Sequence, residues 1–441
     1  MKIFNSLSIL IFIIITTLLL SGCGASPEAL KPIPEVLPTQ ASTLPPEPTM
    51  APPPTEMPTP IPVPTQTLFV PKATIKIISQ TPLTGGGAFL GTDPMQSAEL
   101  AVQQLAGPLN ELGYKIEFVP YDDQGTIEVA VKNAKEIIAD PEVLCGVGHL
   151  YSYIMIQASE LYHKAGLAFI SPSNTLSKVT DRGYLEVNRV VGRNDGQGLA
   201  GAQFAKVQGF KNIFIISNRN DDSQQILKYF KIEAKRLGLQ VVGNITTDQT
   251  KNFETLVSKV IAANSDLVYF ISNTNQGGAF FRDARAAGYM GAFLGTDSMD
   301  DSTLVESAGP LLIDGGGMFY TNMAAQASLY PDANKFVEDF QTINGKAPRV
   351  FGAESYDSAG ICLKAIENAS KAKNGEIPTR SEVAKAIRAI ENYKGITGTY
   401  TFNGKGDPIL AKYYVFKVVA VGPSEWNENT LVTTLEIAPP K

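Results

Sequence analysis

Lys115–Ser152 reads "KIEFVPYDDQGTIEVAVKNAKEIIADPEVLCGVGHLYS". Its ends follow a different rule from its middle. "KIEFVPYDD" and "VLCGVGH" are short apolar runs of strand length. Between them "TIEVAVKNAKEIIA" spaces its apolar residues by three and four, the period of one helix face. Strand, helix and strand in succession predict a parallel pairing with the helix packed on the sheet.

The same alternation extends in both directions. Upstream, "ATIKIIS" is a strand and "PMQSAELAVQQLAG" a helix, with Pro94 expected in its first turn. Downstream come the helix "SYIMIQASELYHKAG" and the strand "LAFISP". After a break near "VVGRNDGQG" the pattern resumes with "NIFIIS", "SQQILKYFKIEAKRLG", "QVVGNITT", "FETLVSKVIAA", "LVYFIS", "GGAFFRDARAAG" and "AFLGTD". The series is too long for one small sheet, so an α/β fold of two doubly wound parallel-sheet lobes is expected. In such sheets ligands meet the loops at the carboxyl ends of the strands. "TGGGAFLG", "GHLYS", "SPSNT", "SNRNDDS" and "ISNTN" are placed there.

The heptapeptide "GAFLGTD" occurs twice, at Gly87–Asp93 and Gly291–Asp297. The first copy reads as a glycine-rich, close-approach loop after the first strand, with Leu90 and Gly91 in it and Asp93 at a helix start. The second reads as a strand with Asp297 at its tip. Neither is a repeat unit.

Before the alternation lie two other segments. Lys2, the apolar run "LSILIFIIITTLLL" and the small residues before Cys23 form a secretory signal. Leu20-Ser21-Gly22-Cys23 resembles the lipobox of bacterial lipoproteins, which implies cleavage before Cys23 and lipidation of it. The stretch 24–72 then takes more than half of the 29 prolines and shows no apolar period. Without apolar residues to bury it has no core. Extended, its part from about Ser26 to Pro71 would reach about 140 Å, and it reads as a stalk or spacer outside the cytoplasm.

Chemistry is sparse. The net charge of −6 carries no basic patch, which argues against nucleic acid. His149 and His163 have no ligand spacing around them. His149 reads as a satisfied structural histidine and His163 as a surface residue. No G-x-S-x-G motif is present, and "TGGGAFLG" fits neither a dinucleotide fingerprint nor a P-loop. Asp122 and Asp123 read as cap or loop-fixing residues. No enzyme activity, cofactor or metal is expected. Cys145 and Cys362 sit in apolar surroundings and read as buried thiols, with a disulfide left open. What remains is a set of hydroxyls and carboxylates at loop tips. Ser152 opens a helix, where free N–H groups and the dipole suit an anion. Ser173 and Thr175 follow a strand, and Asp297 brings a negative charge from the other lobe. These residues read either as caps and turn formers or as receptors for the two charges of a zwitterion.

"GHLYS", "FISPSNT", "VNRVVGRNDGQG" and "AFLGTD", in this order and with "YDD" upstream, resemble the branched-chain amino-acid-binding proteins. Those are solute receptors of ATP-driven importers with the type I periplasmic-binding fold. The resemblance covers nearly everything after the stalk. It implies two discontinuous lobes joined by three crossings, 73–192 with about 325–394 and 193–324 with about 395–436. It also implies that Ser152, Ser173 and Thr175 hold the ligand's α-carboxylate and ammonium, and that Asp297 holds the ammonium. The side-chain pocket departs from the family pattern. Leu90 stands where an aromatic residue is common, Asp222-Ser223 where a tyrosine is, and Thr274 or Asn273 at a second tyrosine position. Asp222 reads as a helix cap or as a second pocket charge. The cysteine pair of some members is absent, with Gln124 and Tyr151 nearby. A monomeric, lipid-anchored receptor is therefore expected, delivering an amino-acid-like ligand to importer membrane subunits. The alternatives are a sensor of amides or urea on the same fold, and a surface interaction protein with a vestigial cleft.

Overall fold

The computed structural model describes residues 71–440. The signal, the lipobox with Cys23 and nearly all of the proline-rich stretch lie outside the described residues.

The first lobe is built on five parallel strands, β1 (Ala73–Thr81), β2 (Tyr114–Asp122), β3 (Val143–Gly148), β4 (Ala168–Ser171) and β5 (Val187–Arg189), in the order β2-β1-β3-β4-β5. Its connecting helices are α1 (Ala88–Leu105), α2 (Gly107–Glu111), α3 (Ile127–Ala139), α4 (Ser152–Lys164) and α5 (Lys178–Asp181). Successive strand residues point to opposite faces. Ile75 and Ile77 of β1 therefore join one buried cluster and Ile78 another, the latter with Ala134, Met155 and Phe169. Burial on both faces is why β3 and β4 read as continuous apolar runs, while the edge strand β2 is mostly half-buried.

The second lobe repeats this winding. After α6 (Asn194–Val207) come β6 (Asn212–Ser217), α7 (Asp221–Leu237), β7 (Gln240–Thr246), α8 (Glu254–Ala262), β8 (Leu267–Ile271), α9 (Thr274–Ala286), β9 (Ala292–Gly295), α10 (Thr303–Ala308) and β10 (Met318–Asn322). In "NIFIIS", Ile213 and Ile215 pack with Phe204 and Phe230, while Phe214 and Ile216 join the cluster holding Val257 and Phe280. The chain then returns with α11 (Asn334–Asn344), α12 (Gly352–Ala372), α13 (Arg380–Arg388) and the short pair β11 (Tyr393–Lys394) and β12 (Thr399–Tyr400). It ends in β13 (Ala411–Lys417) and β14 (Thr430–Ile437). These last two extend the second sheet antiparallel, to the order β14-β13-β10-β9-β8-β6-β7. The purely parallel expectation is corrected at that edge.

Three segments, 190–193, 323–333 and 401–410, carry the chain between the lobes. A buried charge network ties the first to the third. Asp407 takes Arg189 Nε and Arg193 Nη1, each at 2.9 Å, and Thr180 Oγ1 at 2.6 Å. Burial pushes the Asp407 carboxyl up, but the two guanidinium groups outweigh it and hold the group below its usual range. Arg193 also holds Asp195 at 2.6 Å.

Three sequence expectations fail locally. Helix α1 begins at Ala88, so the first GAFLGTD is helical from its second residue and Pro94 lies inside the helix. Asp93 is accordingly no helix start. It is fully buried and accepts Lys346 Nζ at 2.5 Å and Arg349 N at 3.2 Å. Cys145 and Cys362 form a disulfide that staples β3 to α12. Their apolar surroundings suit a buried bridge as well as two thiols, and only the fold brings positions 217 residues apart together. Among the described residues no helix is long and apolar enough to cross a membrane.

Candidate functional site

The order β2-β1-β3 places a switch point between β1 and β3, and β7-β6-β8 places its counterpart between β6 and β8. Near these points the loop after β4 meets helices α6 and α7 of the second lobe. Ser177, six residues beyond β4, donates its N–H to Gln225 Oε1 of α7 at 3.2 Å, and the Gln225 amide donates back to the Ser177 hydroxyl. Asn194 N donates to the Thr175 carbonyl at 2.9 Å.

The first turn of α6 connects most of the candidate residues. Ser152 Oγ accepts from Thr175 N at 3.2 Å and from Leu176 N at 3.3 Å. The Thr175 carbonyl meets Asn194, and Asn194 Nδ2 donates to Asp222 Oδ1 at 2.5 Å. One turn on, Gln197 Nε2 donates to Asp297 Oδ1 at 3.0 Å. Ser152, Thr175, Asp222 and Asp297 are thus brought into one neighbourhood.

The first-lobe side offers hydrogen-bond donors. With both lone pairs of its oxygen engaged, the Ser152 hydroxyl keeps its hydrogen to give. The residue before it, Tyr151, sits at the N-cap and makes no side-chain cap, so the start of α4 lacks the usual side-chain acceptor. No partner for the Thr175 hydroxyl is present among the described residues. Ser173 differs. It is 7% exposed, and its hydroxyl is directed to the carbonyls of His149 (3.2 Å) and Leu150 (3.0 Å). Its hydroxyl braces the turn after β3, so any ligand contact falls to its main chain.

The second-lobe side offers charge. Asp297 opens a short 3-10 turn after β9, partly exposed. Burial, with the nearby charge of Asp222 adding to it, pushes its carboxyl up to about 6 against the pull of the Gln197 hydrogen bond. Asp222 is half-buried, and burial raises its carboxyl too, against the Asn194 hydrogen bond. The helix-cap alternative for Asp222 is overturned. Asn220 caps α7, its side chain accepting Ser223 N at 2.7 Å.

Two other candidates are engaged by the chain itself. Gly91 is buried inside α1, and a Cβ there would lie 2.1 Å from the Pro82 carbonyl oxygen. Its close approach is to the chain itself, and the loop reading is corrected. Thr274 Oγ1 donates to the Ser298 carbonyl at 2.9 Å, so it braces the turn that carries Asp297. Leu90, 39% exposed, lies in the first turn of α1. His149 is fully buried between Asp123 Oδ2 (2.9 Å) and the Tyr162 hydroxyl (3.3 Å), a satisfied structural histidine. His163 lies on α4 with its side chain 44% exposed, paired with Glu186. Asp122 fixes the loop after β1, accepting Leu83 N, Thr84 and Gln124 N.

Asn194, Gln197 and Gln225 escaped the sequence reading. Asn194 and Gln197 stand three apart in "RNDGQG", a spacing that places both on one helix face. That spacing was the available signal.

The two similarly wound lobes, each with a switch point facing the other, form a two-lobed α/β architecture. The model of the family described as periplasmic binding protein matches residues 74–423, and the chain belongs to that family. It is similar to an amino acid binding protein of Pseudomonas aeruginosa, 29% identical over 76% of this chain and 88% of the relative. It is also similar to that organism's leucine-, isoleucine-, valine-, threonine-, and alanine-binding protein, 28% identical over 82% of this chain and 92% of the relative. Among solved structures, the leucine binding protein LivK of Thermotoga maritima superposes with a TM-score of 0.67. It is 25% identical, and the match covers 82% of this chain and 98% of that one.

Proposed function

We propose that this protein captures a free amino acid or similar small zwitterion between its lobes and delivers it to an ATP-driven importer. We further propose that it works outside the cytoplasm, tethered through a lipid on Cys23. The observation that carries the ligand class is the pairing made by the first turn of α6. It joins a donor-rich, uncapped helix start at Ser152 to an unneutralised carboxylate at Asp297. A carboxylate suits the first and an ammonium the second. The names of the relatives support the same ligand class.

Burial of a charged ligand between the lobes links binding to closure by hinge motion about the three crossings. The direct contact of Ser177 with Gln225 across the lobes supports that reading. Titration calorimetry of the purified full chain against the free amino acids tests the ligand class. Binding of at least one, and its loss in Ser152→Ala, is expected; binding of amides or urea alone sinks it. Release of Cys23→Ser from the membrane fraction tests the tether.

A further inference from the structure

The second-lobe side of the cleft carries two carboxylates and, among the described residues, no cation to answer them. The side-chain partner of Asp297 is the neutral amide of Gln197 and that of Asp222 the neutral amide of Asn194, and the other groups that favour their charge are neutral backbone N–H groups. Asp297 feels the charge of Asp222, so the two groups share one electrostatic site. Gln197 Oε1, in a fully buried residue beside Asp297, has no hydrogen-bond partner among the described residues. It adds a third acceptor with nothing to accept.

Helix α7 does not need Asp222 where it is. Its cap is Asn220, and the exposed Asp221 already places a negative charge at the helix start. Asp222 is instead half-buried against α6, where burial raises its carboxyl. A site holding one unneutralised carboxylate suits a ligand with one ammonium. With two, a ligand whose side chain is aliphatic would strip water from the second and leave it unanswered, which is costly.

We infer that the cleft selects an amino acid with a second cationic group, its α-ammonium on Asp297 and its side-chain ammonium or guanidinium on Asp222. The inference rests on the amino-acid reading above and narrows it to dibasic ligands. The Gln197 oxygen lies beside the position given to the α-ammonium, and the Asn194 amide holds the Asp222 carboxylate in place for the side-chain cation.

Calorimetric titration of the detergent-solubilised full chain with lysine, arginine, glutamine and leucine tests this. Lysine or arginine is expected to bind about 10–100-fold more tightly than leucine or glutamine, the range of one charge-assisted hydrogen bond. In Asp222→Asn, lysine and arginine are expected to weaken about tenfold or more while leucine tightens. Misfolding cannot produce that crossing, because it weakens every ligand together. Leucine bound as tightly as lysine by the unaltered protein overturns the dibasic preference and leaves the amino-acid reading standing. So does a lysine advantage that persists in Asp222→Asn. Absence of binding by all four, with an intact thermal unfolding transition, overturns both.

Discussion

Gly87–Asp93 and Gly291–Asp297 are the same seven residues in two environments. In the first lobe the peptide is helical almost throughout, and its aspartate is buried against Lys346 and the Arg349 N–H. In the second lobe four of the seven form β9, and the aspartate emerges past the strand end, where it meets a glutamine amide and feels the charge of another carboxylate. One aspartate is neutralised by its own chain and supports the fold. The other is left unneutralised, which a fold would not keep for stability. An identical local sequence therefore says nothing about function until the surroundings supply or withhold a counter-charge.

The largest expected effect separates the two aspartates. Asp297→Asn is expected to weaken amino-acid binding by about a hundredfold or more, because losing one member of a buried charge pair costs about 3–5 kcal/mol. The same substitution should stabilise the ligand-free fold. A carboxyl raised from an ordinary 3.8 to about 6 lowers stability once pH exceeds the unfolded value, and the loss is complete above the folded one. The thermal advantage of Asp297→Asn should thus be absent below pH 4, grow up to about pH 6 and then level off at about 1–3 kcal/mol. Calorimetry and melting curves across pH read both arms, and an unchanged affinity would remove Asp297 from the ligand site.

Asp93→Asn should do the reverse. Loss of the Lys346 pair and weakening of the backbone contact are expected to cost about 1.5–3 kcal/mol of stability. Affinity should change less than about threefold, under 1 kcal/mol. Equal affinity losses in Asp93→Asn and Asp297→Asn would erase the contrast between the copies.

A third test uses pH alone. Affinity of the unaltered protein should be flat above about pH 6 and fall as pH drops below it, by at most about tenfold per unit as Asp297 takes up a proton. In Asp297→Asn the component centred near pH 6 should disappear. A profile rising toward acid would contradict an ammonium on that carboxylate.

The smallest contrast lies in the fifth residue of each copy. An alanine Cβ at Gly91 would meet the Pro82 carbonyl at 2.1 Å, a backbone atom that cannot step aside. At Gly295 it would meet the Met299 sulfur at 2.5 Å and the Met318 methyl at 3.0 Å, both on flexible side chains. Gly91→Ala is expected to lose about 1–3 kcal/mol and Gly295→Ala less than about 1.5, read as midpoint shifts in denaturant.

The alternation of strands and helices was legible from the sequence because the central strands are buried on both faces and so carry apolar residues on both. "NIFIIS" divides its residues between two clusters, and no other arrangement of that run satisfies them. The helix faces of α3 and α4 were equally plain, since their apolar spacing is set by the same burial. Ser152, Thr175 and Asp297 could be nominated because strand ends in such sheets are where ligands meet loops, and the order of motifs added the family.

What the sequence left open depended on partners far along the chain. The start of α1 turns on Gly91 packing against Pro82 and on Asp93 meeting Lys346, 253 residues away. The disulfide needed β3 and α12 to be neighbours. Asp407 could not be recognised as the counter-charge of Arg189 and Arg193 until the third crossing was laid beside the first. Local sequence fixes backbone preference and which face is apolar, because those are properties of a few adjacent residues. Whether a carboxylate is neutralised is a property of its neighbours in space, so only the tertiary structure separates Asp93 from Asp297.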